Sequence, residues 1–326
     1  MEQRIVFNGC RDVDFIEFTP DTVKPDQVRI KIEVSMISTG TEMIVFNRLF
    51  SPGTNWDNWV KYPFYPGYAV VGIVEEVGAE VTSLKVGDRV VNRGSHASML
   101  VVNAADCYPV PDSIPSEQAV WFALAKIASM AARVAKAKLG DQIVIIGAGP
   151  VGQMMLRWMA AAGAEKVIVV DTVQKRLELA KAGGATHVIC ATADKALDEI
   201  KLLTNGKLAD IVIDTTGIAP VFSDALKCVK NFGKMVLLGD TGYPEQQHLA
   251  PDLLSRGLTI VGAHDCHETE EWNSKKMVNL MFSLAERGRF NLEGLNTNEF
   301  NPADCEQAYD LLNNDRSNTM GVIFKW

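Results

Sequence analysis

Six residues, Gly147-Ala148-Gly149-Pro150-Val151-Gly152, have the spacing of a phosphate-cradling turn. An apolar β-branched run, residues 143–146, leads into them, and a stretch with no helix breaker continues to Gly163. A second apolar run, residues 167–170, ends on Asp171. Strand, glycine turn, helix, strand and acid is the order that binds a dinucleotide. Gly147 permits the tight turn, Gly149 lets backbone approach a pyrophosphate, and Gly152 lets the helix pack close to the strand. The helix start presents free N–H groups to phosphate, aided by a dipole worth about 0.3–1 kcal/mol. Pro150 and Val151 fall in that first turn, where proline removes no needed donor. Asp171 sits where a carboxylate accepts both adenosine ribose hydroxyls and repels a 2′-phosphate, so the expected cofactor is NAD rather than NADP. The glycines alone would also suit a packing turn; with both strands, the helix and the acid in place, the dinucleotide reading is favoured.

Hydride transfer needs a group that takes or gives the accompanying proton, and two residues have that chemistry. Lys126 lies in a long apolar stretch between Glu117 and Arg133, with no other charge near it in sequence. If buried, its pKa falls from about 10.4 toward that of a usable base. The alternative is a lysine that snorkels to the surface. His96 carries the side chain best matched to proton transfer near neutral pH, and its alternative is a hydrogen-bonded wall histidine. The two stand level as base candidates. The cluster His264-Asp265-Cys266-His267-Glu268 has metal-ligand types, but one short cluster does not supply converging ligands, so no metal is expected there. His264 is expected to hydrogen-bond substrate or to cap the next helix. Residues 47–66 read as a long loop with Trp56 and Trp59 among Asn and Asp. Indole faces stack on sugar C–H faces, so both are substrate candidates; a lid or dimer contact is the competing use.

These side chains need elements to hold them. Residues 1–118 contain short β-type runs separated by Gly, Pro, Asn and Asp, with Val28, Ile30, Ile32 and Val34 alternating with polar residues. Residues 117–137 have no Gly or Pro and are apolar round most of their surface, which predicts one buried helix. From residue 142 six strands alternate mainly with helices, which predicts a doubly wound parallel sheet with right-handed crossovers. A helix over about residues 270–286, then helix, turn and strand, close the chain. With 326 residues, 47% hydrophobic and 22% charged, two globular domains are expected. We expect 1–118 with 268–326 to form the β-rich domain and 119–267 the nucleotide domain. The net charge of −8 disfavours nucleic acid or an anionic membrane as partner. No run is long enough to span a bilayer, and the first residues carry no signal-peptide core. Six cysteines without a CxxC pair suit a reducing cytoplasm.

Several motifs carry a family resemblance. They are Ser38-Thr39-Gly40-Thr41-Glu42, Pro66-Gly67-Tyr68-Ala69-Val70-Val71-Gly72, Val86-Gly87-Asp88-Arg89-Val90, the 147–152 turn with Asp171 and Arg176, and the closing Gly321-Val322-Ile323-Phe324. Over nearly the whole chain they resemble the medium-chain alcohol dehydrogenase/reductase superfamily. The resemblance implies an α/β fold class, a doubly wound parallel six-stranded Rossmann sheet plus a β-rich GroES-like catalytic domain. It adds Arg176, Thr216 and Gly239 to the cofactor set and implies a homodimer. Where zinc-dependent members carry metal ligands, this chain has Thr39, Tyr68 and, in the third place, Phe122 or Ala123. The chain is thus similar to the zinc-free branch, loosely like its sugar and glycoside dehydrogenases.

By that resemblance Thr41 matches a hydroxyl that relays the substrate proton, or else makes a turn contact. Tyr68 is either an acid–base phenol or a plug in the vacated metal site. Lys126 faces the nicotinamide, His96 replaces a pocket-wall aromatic, and Glu42 orients one of them or serves the loop. The expected function is zinc-independent, NAD-dependent oxidation of a secondary hydroxyl of a sugar, glycoside or polyol to a ketone. The alternatives are an NADPH-dependent quinone or enoyl reductase, which Asp171 opposes, and a non-catalytic NAD-binding protein.

Overall fold

A computed structural model describes residues 1–326. The chain divides into two compact units. Met1–Ala123, Val278–Glu286 and Leu292–Trp326 form the first, and Leu124–Met277 with Arg287–Asn291 forms the second.

The first unit is built on the strand Gln27–Met36, whose alternation buries Val28, Ile30, Ile32 and Val34. One edge of it pairs antiparallel with Val70–Val77. The other edge is shared: Met99–Asn103 lies along its first half and the closing strand Gly321–Lys325 along its second. Arg89–Asn92 and Tyr108–Pro109 extend the sheet on one side and Asn296–Phe300 on the other, for seven strands in all. The hairpin Glu2–Gly9 with Asp12–Phe18 stands apart as a two-stranded sheet. An apolar cluster of Phe7, Phe46, Tyr309 and Phe324 joins the first strand, the helix Thr41–Asn47, the helix Cys305–Asn314 and the last strand. The chain's last segment is therefore part of the core of this unit.

The second unit is a six-stranded parallel sheet in the order His187–Cys190, Lys166–Asp171, Gln142–Ile146, Ala209–Asp214, Val229–Leu237, Thr259–Gly262. The chain winds outward one way from Gln142–Ile146 and the other way from Ala209–Asp214. Those two central strands pair with Ile146 opposite Asp214, so their carboxyl ends open the crevice where doubly wound sheets bind ligands. Their residues are buried almost throughout, as strands covered on both faces must be.

Three elements differ from the sequence-based expectation. The apolar stretch 117–137 is not one helix but Ser116–Ala119 followed by Phe122–Ala135. The Asn296 amide donates to the Glu117 carbonyl (2.7 Å), the acceptor an unbroken helix would offer to Trp121, and the Trp121 indole donates back to Asn296 Oδ1 (2.8 Å). The loop 47–66 contains a short helix, Asn55–Trp59, capped by Thr54 Oγ1 accepting from the Asp57 N–H. The helix expected from about residue 270 begins later, at Ser274–Glu286, because Glu268 accepts from the Ser274 N–H at 3.0 Å and fixes the start there.

Candidate active site

At the crevice of the parallel sheet, Gly147 leaves its strand with φ +96°, a conformation that favours glycine. A Cβ on Gly152 would meet the Gly147 carbonyl oxygen, so helix Pro150–Ala162 approaches the strand more closely than any side chain would allow. A Cβ on Gly149 would meet nothing within 4 Å. No protein atom therefore demands glycine at 149; the open space beside it is the cradle a pyrophosphate needs. Pro150 and Val151 open the helix, whose first N–H groups lack intrahelical acceptors. Asp171, half-buried at the end of the second strand, is anchored by the Ala148 N–H (2.7 Å) and the Val173 N–H (2.8 Å). A carboxylate has about four acceptor sites, so about two are left for ribose hydroxyls. The residues present thus fit a dinucleotide.

The neighbouring turn completes this end. Thr215 Oγ1 donates to the carbonyls of Ile146 and Gly147, both at 3.0 Å. Thr216 is held through its N–H (2.8 Å) and its hydroxyl (2.7 Å) by Asp214 Oδ1. Burial pushes the Asp214 carboxyl up, despite those donors. Gly239 packs on the same turn, where a Cβ would lie 2.7 Å from the Thr216 nitrogen. The Arg176 carbonyl accepts from Gln153 Nε2 (2.9 Å), tying the next helix to the first.

In the first unit, Ser38, Thr41, Glu42, Tyr68 and His96 come together. The Tyr68 phenol lies 2.5 Å from Ser38 Oγ and 3.5 Å from Thr41 Oγ1, with the Arg93 guanidinium over its ring. Burial pushes the phenol above its ordinary value of 10.0, although the two hydroxyls and Arg93 oppose the shift. It is therefore a neutral phenol near pH 7. Glu42 and His96 lie underneath, 1% and 0% exposed. His96 Nε2 is 3.1 Å from Glu42 Oε2 and His96 Nδ1 is 2.7 Å from Ser35 Oγ, so both ring nitrogens are engaged inside the protein.

Lys126 is in the second unit, 6% exposed. Its ammonium is 2.8 Å from Glu268 Oε1, 3.7 Å from Asp265 Oδ2 and 3.2 Å from the Asp265 carbonyl. Burial pushes the Glu268 carboxyl up, but Lys126 and Ser274 outweigh it and hold the group below its ordinary value. His264, on the same loop, is mostly exposed, with Nδ1 accepting from the Cys266 N–H (3.2 Å) and 3.3 Å from Asp265 Oδ1. Trp56 is 8% exposed inside the apolar cluster of the first unit, whereas Trp59 is 54% exposed and meets Phe64 edge-on at 5.2 Å. Of the two indoles, only Trp59 presents a face to solvent. Ser35, Ser38, Tyr309 and Asp214 were not singled out from sequence, and Glu268 only as a member of the 264–268 cluster. Only Ser38, inside the Ser-Thr-Gly-Thr-Glu motif, carried a signal that could have found it.

Two family models match the chain, an alcohol dehydrogenase GroES-like domain over residues 24–112 and a zinc-binding dehydrogenase domain over residues 150–283. The chain belongs to the medium-chain dehydrogenase/reductase superfamily. It is an oxidoreductase of that family, whose dehydrogenases use a nicotinamide cofactor. An L-threonine 3-dehydrogenase from Mesorhizobium japonicum is 28% identical over 93% of this chain and 92% of its own length. A D-guloside 3-dehydrogenase from Escherichia coli is 26% identical, covering 99% of this chain and 100% of that protein. Among solved structures, an Escherichia coli oxidoreductase/dehydrogenase of unknown specificity matches with a TM-score of 0.86 at 24% identity, covering 99% of both chains.

The matched domain is described as zinc-binding, so the donor set matters. Thr39 and Tyr68 offer only neutral hydroxyls, and Phe122 and Ala123 offer no donor at all. The adjacent imidazole and carboxylate are spent on each other and on Ser35. No three His, Cys, Asp or Glu side chains group so as to hold a metal ion. These residues do not suit a tetrahedral zinc. No helix is long and apolar enough to cross a membrane.

Proposed function

We propose that the protein is an NAD-dependent dehydrogenase that oxidises a secondary hydroxyl of a sugar, glycoside or polyol to a ketone without catalytic zinc. The observation that carries this reading is the hydroxyl cluster that Ser38 and Thr41 form around Tyr68, which stands at one of the motif positions where zinc-dependent relatives carry metal ligands. The names of the two curated relatives, each a 3-dehydrogenase, agree with a secondary carbon. When bound, NAD would supply the hydride acceptor. The chain's own task is the proton. Tyr68 Oη takes it from the substrate hydroxyl as its own proton passes to Thr41 Oγ1, while Ser38 Oγ holds the phenol in place. Half-buried Thr41 gives up its own proton to water in the same relay, so one proton is released to solvent and all the hydroxyls end neutral. Lys126, held by three acceptors, we assign to fixing the 265–268 loop, and Trp59 to the substrate's apolar face.

A panel of polyols, sugars and glycosides, assayed for NADH formation with and without chelator, tests this. Equal rates in both arms are expected. Loss on chelation with recovery on added zinc would overturn the metal-free reading, and a panel without turnover would favour a non-catalytic NAD-binding protein. Asp171 provides a separate check. Asp171→Asn is expected to weaken NAD binding about tenfold, about 1.4 kcal/mol, and to narrow the gap to NADP. Tight NADPH binding by the unaltered protein would turn the choice toward a quinone or enoyl reductase.

A further inference from the structure

Beneath the three hydroxyls lies a chain of hydrogen bonds in which each donor identifies the next. The Trp326 indole N–H, which can only donate, gives its hydrogen bond to Ser35 Oγ at 2.9 Å. Ser35 then has its own hydroxyl proton to offer, and His96 Nδ1 lies 2.7 Å away. With Nδ1 accepting, Nε2 carries the ring proton and donates to Glu42 Oε2 at 3.1 Å. Tyr309 donates to the same oxygen at 2.6 Å. Glu42 Oε1 accepts from the Ser38 N–H at 2.7 Å. Ser35, His96, Glu42 and Tyr309 are all 1% exposed or less. Each bond runs toward Glu42, so one buried carboxyl group is met by three donors.

Two contacts lead from this chain to the hydroxyl cluster. Glu42 grips the Ser38 backbone twice, its carboxylate taking the N–H and its own N–H reaching the Ser38 carbonyl at 2.9 Å. That grip aims Ser38 Oγ at Tyr68. On the other side, His96 packs against the residue just before Tyr68. Gly67 has φ +97°, and a Cβ there would lie 2.8 Å from the His96 nitrogen and 2.9 Å from ring carbons Cγ and Cδ2. The His96 N–H also donates to the Pro66 carbonyl at 2.9 Å. His96, through its ring and its backbone N–H, thus braces both segments that bring Ser38 and Tyr68 within 2.5 Å of each other.

We propose that Glu42 and His96 are positioning residues rather than acid–base catalysts, and that they lock the Ser38 and Tyr68 hydroxyls in the geometry for proton transfer. This rests on the dehydrogenase reading and deepens it: a buried carboxylate with three donors rigidifies the site that lacks ligands for a metal. It departs from the expectation that His96 is the base, because no ring nitrogen is left to receive a substrate proton.

Two measurements test it. The ring nitrogen–proton correlation spectrum of the unaltered protein is expected to show His96 as the Nε2–H tautomer, and the Nδ1–H tautomer would overturn the proposal. In kinetics, His96→Ala is expected to lose about a hundredfold in kcat. In His96→Gln the side-chain oxygen can accept from Ser35 and the amide can donate to Glu42. That variant is expected to return to within about tenfold of native, with the KM for NAD and the pH profile unchanged. His96→Gln as slow as His96→Ala, in a protein that melts normally, would make His96 the base. The two failures are separable. The wrong tautomer or an unrescued variant overturns the positioning role, whereas a protein idle on every alcohol overturns the dehydrogenase reading beneath it.

Discussion

Tyr68→Phe is expected to lower kcat about 10²–10⁴-fold while NAD affinity and melting temperature stay near native. The substitution removes one oxygen and keeps the ring under Arg93. Ser38 and Thr41 lose a partner, but the phenol is half-buried and water can replace it at modest cost. What water does not replace is a carrier held at 2.5 Å from Ser38 and kept neutral by burial. Because that burial raises the phenol's pKa above 10.0, its ionisation should not appear as a limb of the rate profile between pH 6 and 9, an estimated window of about three units. Steady-state kinetics with a turned-over polyol, beside cofactor titration by fluorescence, reads both halves of the prediction. Undiminished kcat in Tyr68→Phe would leave Tyr68 as a plug in the place of a lost metal site.

The second large effect separates two glycines three residues apart. Gly152→Ala is expected to destabilise the protein by about 1–3 kcal/mol, the usual cost of overpacking. Its Cβ would press on the carbonyl of Gly147, which is itself pinned by its N–H bond to Val170 at 2.8 Å and by Thr215. Gly149→Val is expected to melt like the native protein, because φ there is −67° and a Cβ meets no protein atom within 4 Å. Its cost should fall on the ligand, with NAD affinity lowered at least about tenfold, or about 1.4 kcal/mol. Thermal unfolding without cofactor, followed by cofactor titration, distinguishes the two. Native NAD affinity in Gly149→Val would mean that the pyrophosphate does not lie on this turn.

The contrast between those glycines shows what kind of feature is legible in a sequence. The strand, turn, helix, strand and acid from Gln142 to Asp171 are contiguous, and each residue does its work on near neighbours. The local pattern therefore carried the parallel sheet, which the structure builds as expected, and it placed Asp171 at the end of its strand. The alternation of Val28, Ile30, Ile32 and Val34 likewise marked the central strand of the first unit. Lys126 was less legible. It read as an isolated charge because Glu268 and Asp265, its partners, are far along the chain. The break after Ala119 could not be read either, since Asn296 causes it. Trp56 and Trp59 looked equivalent in sequence, and only folding buried one and exposed the other.

The hydroxyl cluster around Tyr68 is where the two levels part. By itself the sequence determined the strand, glycine turn and helix of the parallel sheet, because that backbone shape is dictated by nearby glycines. It also determined that the usual metal-ligand positions hold Thr39 and Tyr68. The tertiary structure alone decided what Glu42 and His96 face. The bonds of this chain join residues 54, 267 and 291 positions apart, from His96 to Glu42, Tyr309 to Glu42 and Trp326 to Ser35. A hydrogen bond acts over about 3 Å and takes no account of chain separation. Whether a buried histidine has a free nitrogen is therefore a property of the packed molecule.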